Sequence, residues 1–320
     1  MTSHYPPLAL TETAEGEPRR TGVEIEFAGL NEVEAADVVF QTFGGHIEEG
    51  ESHELTVTGT EIGDIRVELD TVLRKKKNIP LLQMGLDLAT GLVPVEIITG
   101  PLTREKVARL DALTDALRQA GATGTRDGIL LGFGVHLNPE VVSLDDPHTM
   151  QTILAYGLLE PWLRRQEDLN VTRRLMPFVN QWPSAFVTEL ARSRPSSLAD
   201  LMVVMARHVQ SRNHGLDLFP LFAHANESLY NRMFPEPDKT AARPTFHFRL
   251  PDCRIDEADW SLAQAWKLWW TVEDVAQNGA LLDSLRKAWI DHMHTAPGAD
   301  KRWSDKVDRM MRDHGVEAVL

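Results

Sequence analysis

The chain has 320 residues, and its 47 acidic against 33 basic side chains give a formal charge of −14. That balance argues against a nucleic-acid partner, whose binding is driven by Lys and Arg displacing counterions, and no apolar run approaches the roughly 20 residues that cross a bilayer. An apolar share of 42% supports a substantial core, while Cys253, the single cysteine, excludes an internal disulfide or Cys-rich zinc site and suits a reducing, cytoplasmic setting.

Residues 1–20 read as a flexible leader. They hold Pro6-Pro7, Pro18 and scattered Glu12, Glu15 and Glu17, without periodicity and without the apolar stretch of a signal peptide. Order is expected from Thr21, where Val23, Ile25 and Phe27 alternate with Glu24 and Glu26; a period of two marks a strand with one apolar and one charged face. Asn31 suits the N-cap of a helix carrying Val33, Ala36, Val39 and Phe40 and ending at Gly44-Gly45. Strand-like runs follow at 53–58, 65–73 and 93–98, with the basic cluster Arg74-Lys75-Lys76-Lys77 in a connecting loop. An amphipathic helix is expected over 102–120, with Val107, Leu110, Leu113 and Leu117 on one stripe, and a strand over 129–138. Helical segments then dominate, at about 146–165, 197–211, 258–277, 279–294 and 299–313, interrupted by one late strand at 245–250. Strands early and helices late predict an α+β fold with a largely antiparallel sheet. The expected organisation is one domain over 21–320, helix-rich at 145–235 and closed by C-terminal helices at 257–313.

The strands carry a repeated polar spacing. Glu24 and Glu26 are two residues apart and project from one face; Glu68 and Asp70, His136 and Asn138, and His247 and Arg249 repeat the spacing, and Glu96 sits between Val95 and Ile97. A solvated sheet face accounts for any single pair. Taken together, the residues are mostly carboxylates and imidazoles rather than the Thr, Lys, Ser and Gln of a merely wet face. Gathered carboxylates repel one another, a divalent cation relieves that repulsion, and carboxylate oxygens suit Mg2+ or Mn2+.

Other catalytic signatures are missing. The sequence has no GxxxxGK[ST] phosphate loop, no HExxH and no GxSxG. Trp266, Trp269 and Trp270 fall at helical spacing and read as a packing face rather than a base-stacking platform.

Five segments occur in a telling order: Gly22 to Phe27, Arg66 to Asp70, Val95 to Pro101, Gly134 to His136, and Phe246 to Asp252. Together they resemble the amidoligase family, a branch of the carboxylate–amine ligases that includes glutamine synthetase and glutamate–cysteine ligase. The resemblance spans about residues 21–275 and implies an ATP-dependent ligase on a curved antiparallel sheet of glutamine synthetase-like type, helices on one face. Its concave face would hold ATP and two or more Mg2+. By that resemblance Glu24 and Glu26 each serve one metal, Glu96 joins Glu26, and His136 sits with Glu24. Arg249 matches the arginine that meets the transferred phosphoryl group. Asp70 falls near the expected substrate position, although Asp70-Thr71-Val72 departs from the family's Asp-Gly-Ser-like element. Arg74 and Lys75 are candidates for attracting ATP, against the reading of a solvated charge run.

A second departure concerns the late strand. Glutamine synthetase-like enzymes have Glu-x-Arg there, and this chain has His247-x-Arg249, which places an imidazole in the metal set. Imidazole is a poor Mg2+ ligand, so the site prefers Mn2+, is weaker, or has drifted from full catalysis. The expected substrates are a small-molecule or peptide carboxylate and an amine. A phosphotransferase on the same fold and a non-catalytic nucleotide-binding relative stand as alternatives.

Overall fold

The structure, a computed structural model, describes residues 2–50, 53–69, 94–125, 132–167, 179–235, 240–293 and 300–316. It is an α+β arrangement. Six strands, β1 (Thr21–Phe27), β2 (His46–Glu49), β3 (Glu54–Thr58), β4 (Ile65–Leu69), β5 (Val95–Thr99) and β6 (Val135–Pro139), form one open sheet in the order β2-β3-β4-β5-β1-β6. Every neighbouring pair is antiparallel.

Alternation decides the faces. Val23, Ile25 and Phe27 of β1, Val67 of β4, Val95 and Ile97 of β5, and Val135 and Leu137 of β6 are all buried. Each such side chain contributes about 1.5–3 kcal/mol on burial. Helix α1 (Glu32–Phe43) packs over β3 and β4, and α2 (Arg104–Ala120) packs against α1 and β1. The Val107, Leu110, Leu113 and Leu117 stripe of α2 is buried as expected, and the helix stops at Gly121, whose φ of 106° favours glycine.

Helix α1 begins with a capping box. The Asn31 side chain accepts from the Val33 and Glu34 amides, and Glu34 accepts from the Asn31 amide at 2.9 Å. Its buried residues are Ala35, Ala36, Val39 and Phe43, whereas Val33 and Phe40 are exposed. The edge strand β2 was not expected from sequence; its four residues are all exposed and only Ile47 is apolar.

The remaining helices are α3 (Pro147–Gln166), α4 (Ser184–Ser193), α5 (Leu198–Met205), α6 (Phe219–Ala225), α7 (Glu227–Met233), α8 (Leu262–Gln277), α9 (Gly279–Met293) and α10 (Asp300–Asp313). The helix expected over 197–211 ends at Met205, and α4, α6 and α7 were not anticipated. Among the described residues no helix is long and apolar enough to cross a membrane.

The expected late strand is an extended segment joined to β6 by single bridges, Glu140 to Thr245 and Leu137 to Phe248, rather than by a continuous ladder. On its other side Phe248 bridges Leu216. Phe246 and Phe248 pack on Trp269 of α8, with ring centroids 5.0 and 5.3 Å apart, so this tryptophan works as packing.

The segment expected to be a leader is packed into the body. Tyr5 is fully buried beside Trp266 and donates to Asp111 Oδ1 at 2.7 Å, and Trp266 and Trp270 donate to the carbonyls of Pro6 and Pro7. Arg19 makes two hydrogen bonds to Glu273, at 2.7 and 2.8 Å, with both side chains buried. Isolated anchors carry no periodicity, which is why the pattern of residues 1–20 does not announce them.

Candidate metal centre

The sheet register assembles the polar face. Glu24 of β1 stands opposite His136 of β6, Glu26 stands opposite Glu96 of β5, and Glu96 in turn faces Glu68 of β4. Because side chains alternate, these residues share the face opposite the helix-covered core. Arg66 pairs with Glu68 at 3.1 Å near the open side.

Glu24 is the hub. Its Oε2 accepts from His136 Nδ1 at 2.8 Å, its Oε1 accepts from the Asn138 amide group at 2.9 Å, and Arg243 Nη1 lies 3.5 Å from Oε1. His247 Nε2 stands 3.7 Å from Glu24 Oε2. Burial by itself would raise the Glu24 carboxyl, but the imidazoles of His136 and His247 outweigh it and hold the group well below the usual carboxylate range. His136 is pushed down by burial, aided by the Arg249 charge and opposed by Glu26 and Glu24.

The His136 ring lies between the two glutamates of β1. Its Nδ1 faces Glu24, and its Nε2 is 3.6 Å from Glu26 Oε1. Glu26 is oriented from behind by the Gly134 amide, which donates to Oε2 at 2.8 Å. Among the described residues, two groups bring ligand atoms within 4.8 Å of one another: Glu24, His136 and His247, and Glu26, Glu96 and His136. The five residues named as metal ligands from sequence therefore converge on one patch.

Arg249 lies close enough that its charge acts on both His136 and Asp217, and its Nη1 donates to the Arg212 carbonyl at 3.1 Å. Asp70, Arg74 and Lys75 fall outside the described residues.

Sequence reasoning missed Asp217. It is 1% exposed and 3.2 Å from His247 Nδ1, accepts from Arg212 Nε at 2.9 Å, and accepts the Phe219 amide on its other oxygen. Burial alone would raise its pKa, yet the His247 hydrogen bond and the Arg212 charge bring it down to about 2. A carboxylate at Nδ1 holds a proton there and leaves Nε2 as the ring atom that faces Glu24. That nitrogen is buried and makes no hydrogen bond. A buried imidazole nitrogen facing a carboxylate oxygen with no hydrogen bond between them leaves space for a positive charge there, and the donor chemistry fits a metal cation.

No curated protein matches the chain. A family model described as "Putative amidoligase enzyme" matches residues 17–271, a span that includes all six strands, the Glu24 hub and Arg249, and the chain belongs to that family.

Proposed function

We propose that the protein is an ATP-dependent carboxylate–amine ligase working with divalent cations, Mg2+ or Mn2+, on a sheet of glutamine synthetase-like type. The observation that carries the reading is the pair of cation-sized groups sharing His136 on one face of the sheet, in a chain of the amidoligase family. Glu24, His136 and His247 would hold one ion, and Glu26 and Glu96 the other. Bound there, divalent cations would supply positive charge to offset that of the phosphates.

The protein's own groups then have separable tasks. Arg249 is a permanently charged fork suited to phosphoryl oxygens, and Arg243, beside Glu24, is placed to serve the same charge. In the proposed reaction a carboxylate oxygen attacks the γ-phosphorus, the bond to the bridging oxygen breaks, and ADP leaves with an acyl phosphate formed. The neutral amine attacks the acyl carbon, phosphate departs, and the amine proton is released. Arg249 stabilises charge on the phosphoryl oxygens in the first step; the sheet supplies positioning for both. Asp70 is assigned to the substrate side and Arg74 and Lys75 to ATP, with a small-molecule or peptide carboxylate and an amine as substrates.

The test is a screen of amines and amino acids for ADP formation with Mg2+ and with Mn2+. Amine-dependent release of ADP and inorganic phosphate supports the ligase. Phosphate retained on the product shows a phosphotransferase instead. Nucleotide binding without turnover would mark a non-catalytic relative, the alternative that His247 in place of a carboxylate keeps open.

A further inference from the structure

We infer that the Glu24–His136–His247 group selects a nitrogen-preferring transition ion of the Zn2+ or Co2+ type over Mg2+, and that Asp217 is the positioning residue that makes it do so. The inference rests on the cation-dependent reading above and adds to it a division of labour: a nitrogen-rich site on Glu24 beside an oxygen-rich site on Glu26 and Glu96.

The donor set is the first argument. With His136 counted once, on the Glu24 side, that group offers two imidazoles to one carboxylate and leaves Glu26 and Glu96 as carboxylates alone. Imidazole suits Zn2+, Cu2+, Fe2+ and Ni2+, whereas carboxylate and water suit Mg2+, Ca2+ and Mn2+. The geometry is the second. Two ligand atoms each about 2.1 Å from a shared ion stand about 3.0–3.6 Å apart for coordination angles of 90–120°. His247 Nε2 and Glu24 Oε2, at 3.7 Å, stand just beyond that spacing, so a small inward shift would close them on an ion, and Nε2 is buried with no hydrogen-bond partner.

Asp217 supplies the third argument. Metal-ligating histidines characteristically donate their other ring N–H to a carboxylate, which fixes the tautomer and raises ligand basicity. Asp217 meets that description at His247 Nδ1, and its place is set by the main chain: the Asp217 amide donates to the His247 carbonyl at 3.0 Å, and the Arg249 amide to the Gly215 carbonyl at 2.8 Å. Gly215 lets the Tyr156 hydroxyl pack against this stretch, since a Cβ there would meet it at 2.5 Å. An imidazole held this rigidly, with its Nε2 aimed at Glu24, is built for a direct metal–nitrogen bond, whereas Mg2+ sheds water reluctantly and keeps to oxygen ligands.

The test uses the metal-free full chain titrated with Co2+, followed by its visible absorption and by hyperfine-shifted exchangeable imidazole N–H signals in proton NMR. The expected result is Co2+ binding that survives Mg2+ at about 100-fold excess. Asp217→Asn should weaken Co2+ by about 10- to 100-fold and speed exchange of one shifted N–H. His247→Glu should abolish that signal and move preference toward Mg2+. Displacement of Co2+ by Mg2+ at comparable concentration, or shifted signals and affinity unchanged in His247→Glu, overturns the inference. Unfolding midpoints check each variant; if Asp217→Asn does not fold, the wild-type competition and His247→Glu still decide. Tight Co2+ binding with no ADP formed from any amine would sink the ligase and leave the selectivity standing. ADP formation with Mg2+ beside weak Co2+ binding would do the reverse.

Discussion

Glu24 and His136 face one another across neighbouring antiparallel strands, and the Nδ1 to Oε2 distance of 2.8 Å makes the carboxylate the acceptor for a side chain that also leans on Glu26. The carboxylate accepts from Asn138 as well, so both oxygens are committed. Glu24→Gln replaces one acceptor by an NH2 donor aimed at another donor. We expect a loss of about 1–3 kcal/mol, the cost of leaving a buried donor unsatisfied, measured as a lowered urea midpoint with unchanged slope. The sign with pH follows from the depressed carboxyl: its contribution is complete above the unfolded value of about 4.3 and disappears as pH falls through the lower folded value. The acid limb of the stability curve should therefore be shallower in Glu24→Gln than in the wild type; identical limbs would remove Glu24 as its source.

That pair was legible in the sequence because strand alternation encodes both face and partner. Once Glu24, Glu26, Glu96 and His136 are placed on strands by their apolar neighbours, an antiparallel sheet brings them to one side. Asp217 was not legible. It sits in Gly215-Leu216-Asp217, a stretch without periodicity, and its role comes from main-chain hydrogen bonds to a segment thirty residues later. Helices α6 and α7, seven residues each, are too short for a 3.6-residue period to stand out. The inward face of α1 has a different origin: the capping box marks where the helix starts, while packing over the sheet buries Ala35, Ala36, Val39 and Phe43 and leaves Val33 and Phe40 exposed.

Arg249→Ala tests the chemistry while the segment keeps its main-chain bridge at Phe248 and the Arg249 amide bond, losing the guanidinium bond to the Arg212 carbonyl. Under the proposed ligase, ADP formation should fall by about 100-fold or more, as when a preorganised donor is removed from developing charge. The thermal midpoint should move little. Unchanged turnover would take Arg249 out of the mechanism.

Arg19 and Glu273 tie the first twenty residues to α8. Both side chains are buried, and His148 Nε2 lies 3.5 Å from the same carboxylate. Arg19→Ala leaves Glu273 buried with its main counter-charge gone, so we expect about 3–5 kcal/mol of destabilisation. The double change Arg19→Met with Glu273→Gln removes both charges and should recover much of it. Limited proteolysis within residues 1–20 should accelerate in Arg19→Ala; a wild-type cleavage rate with unchanged stability would show that the pair is not an anchor.

Asp217 lets the stability contribution of the site be separated from any ion it holds. Its carboxyl, at about 2 against about 3.9 in an unfolded chain, contributes on the order of 2–3 kcal/mol at neutral pH. Because the folded value is the lower one, that contribution is complete above about pH 4 and is lost as pH falls toward 2. Asp217→Ala should therefore be destabilised at pH 7, with the Arg212 and His247 partners and the Phe219 amide left without their acceptor, and the gap to wild type should narrow on acidification below pH 4. Chemical denaturation of the metal-free protein at pH 7, 5 and 3 reads the difference directly. A gap that stayed constant across the series would mean that Asp217 contributes through packing alone.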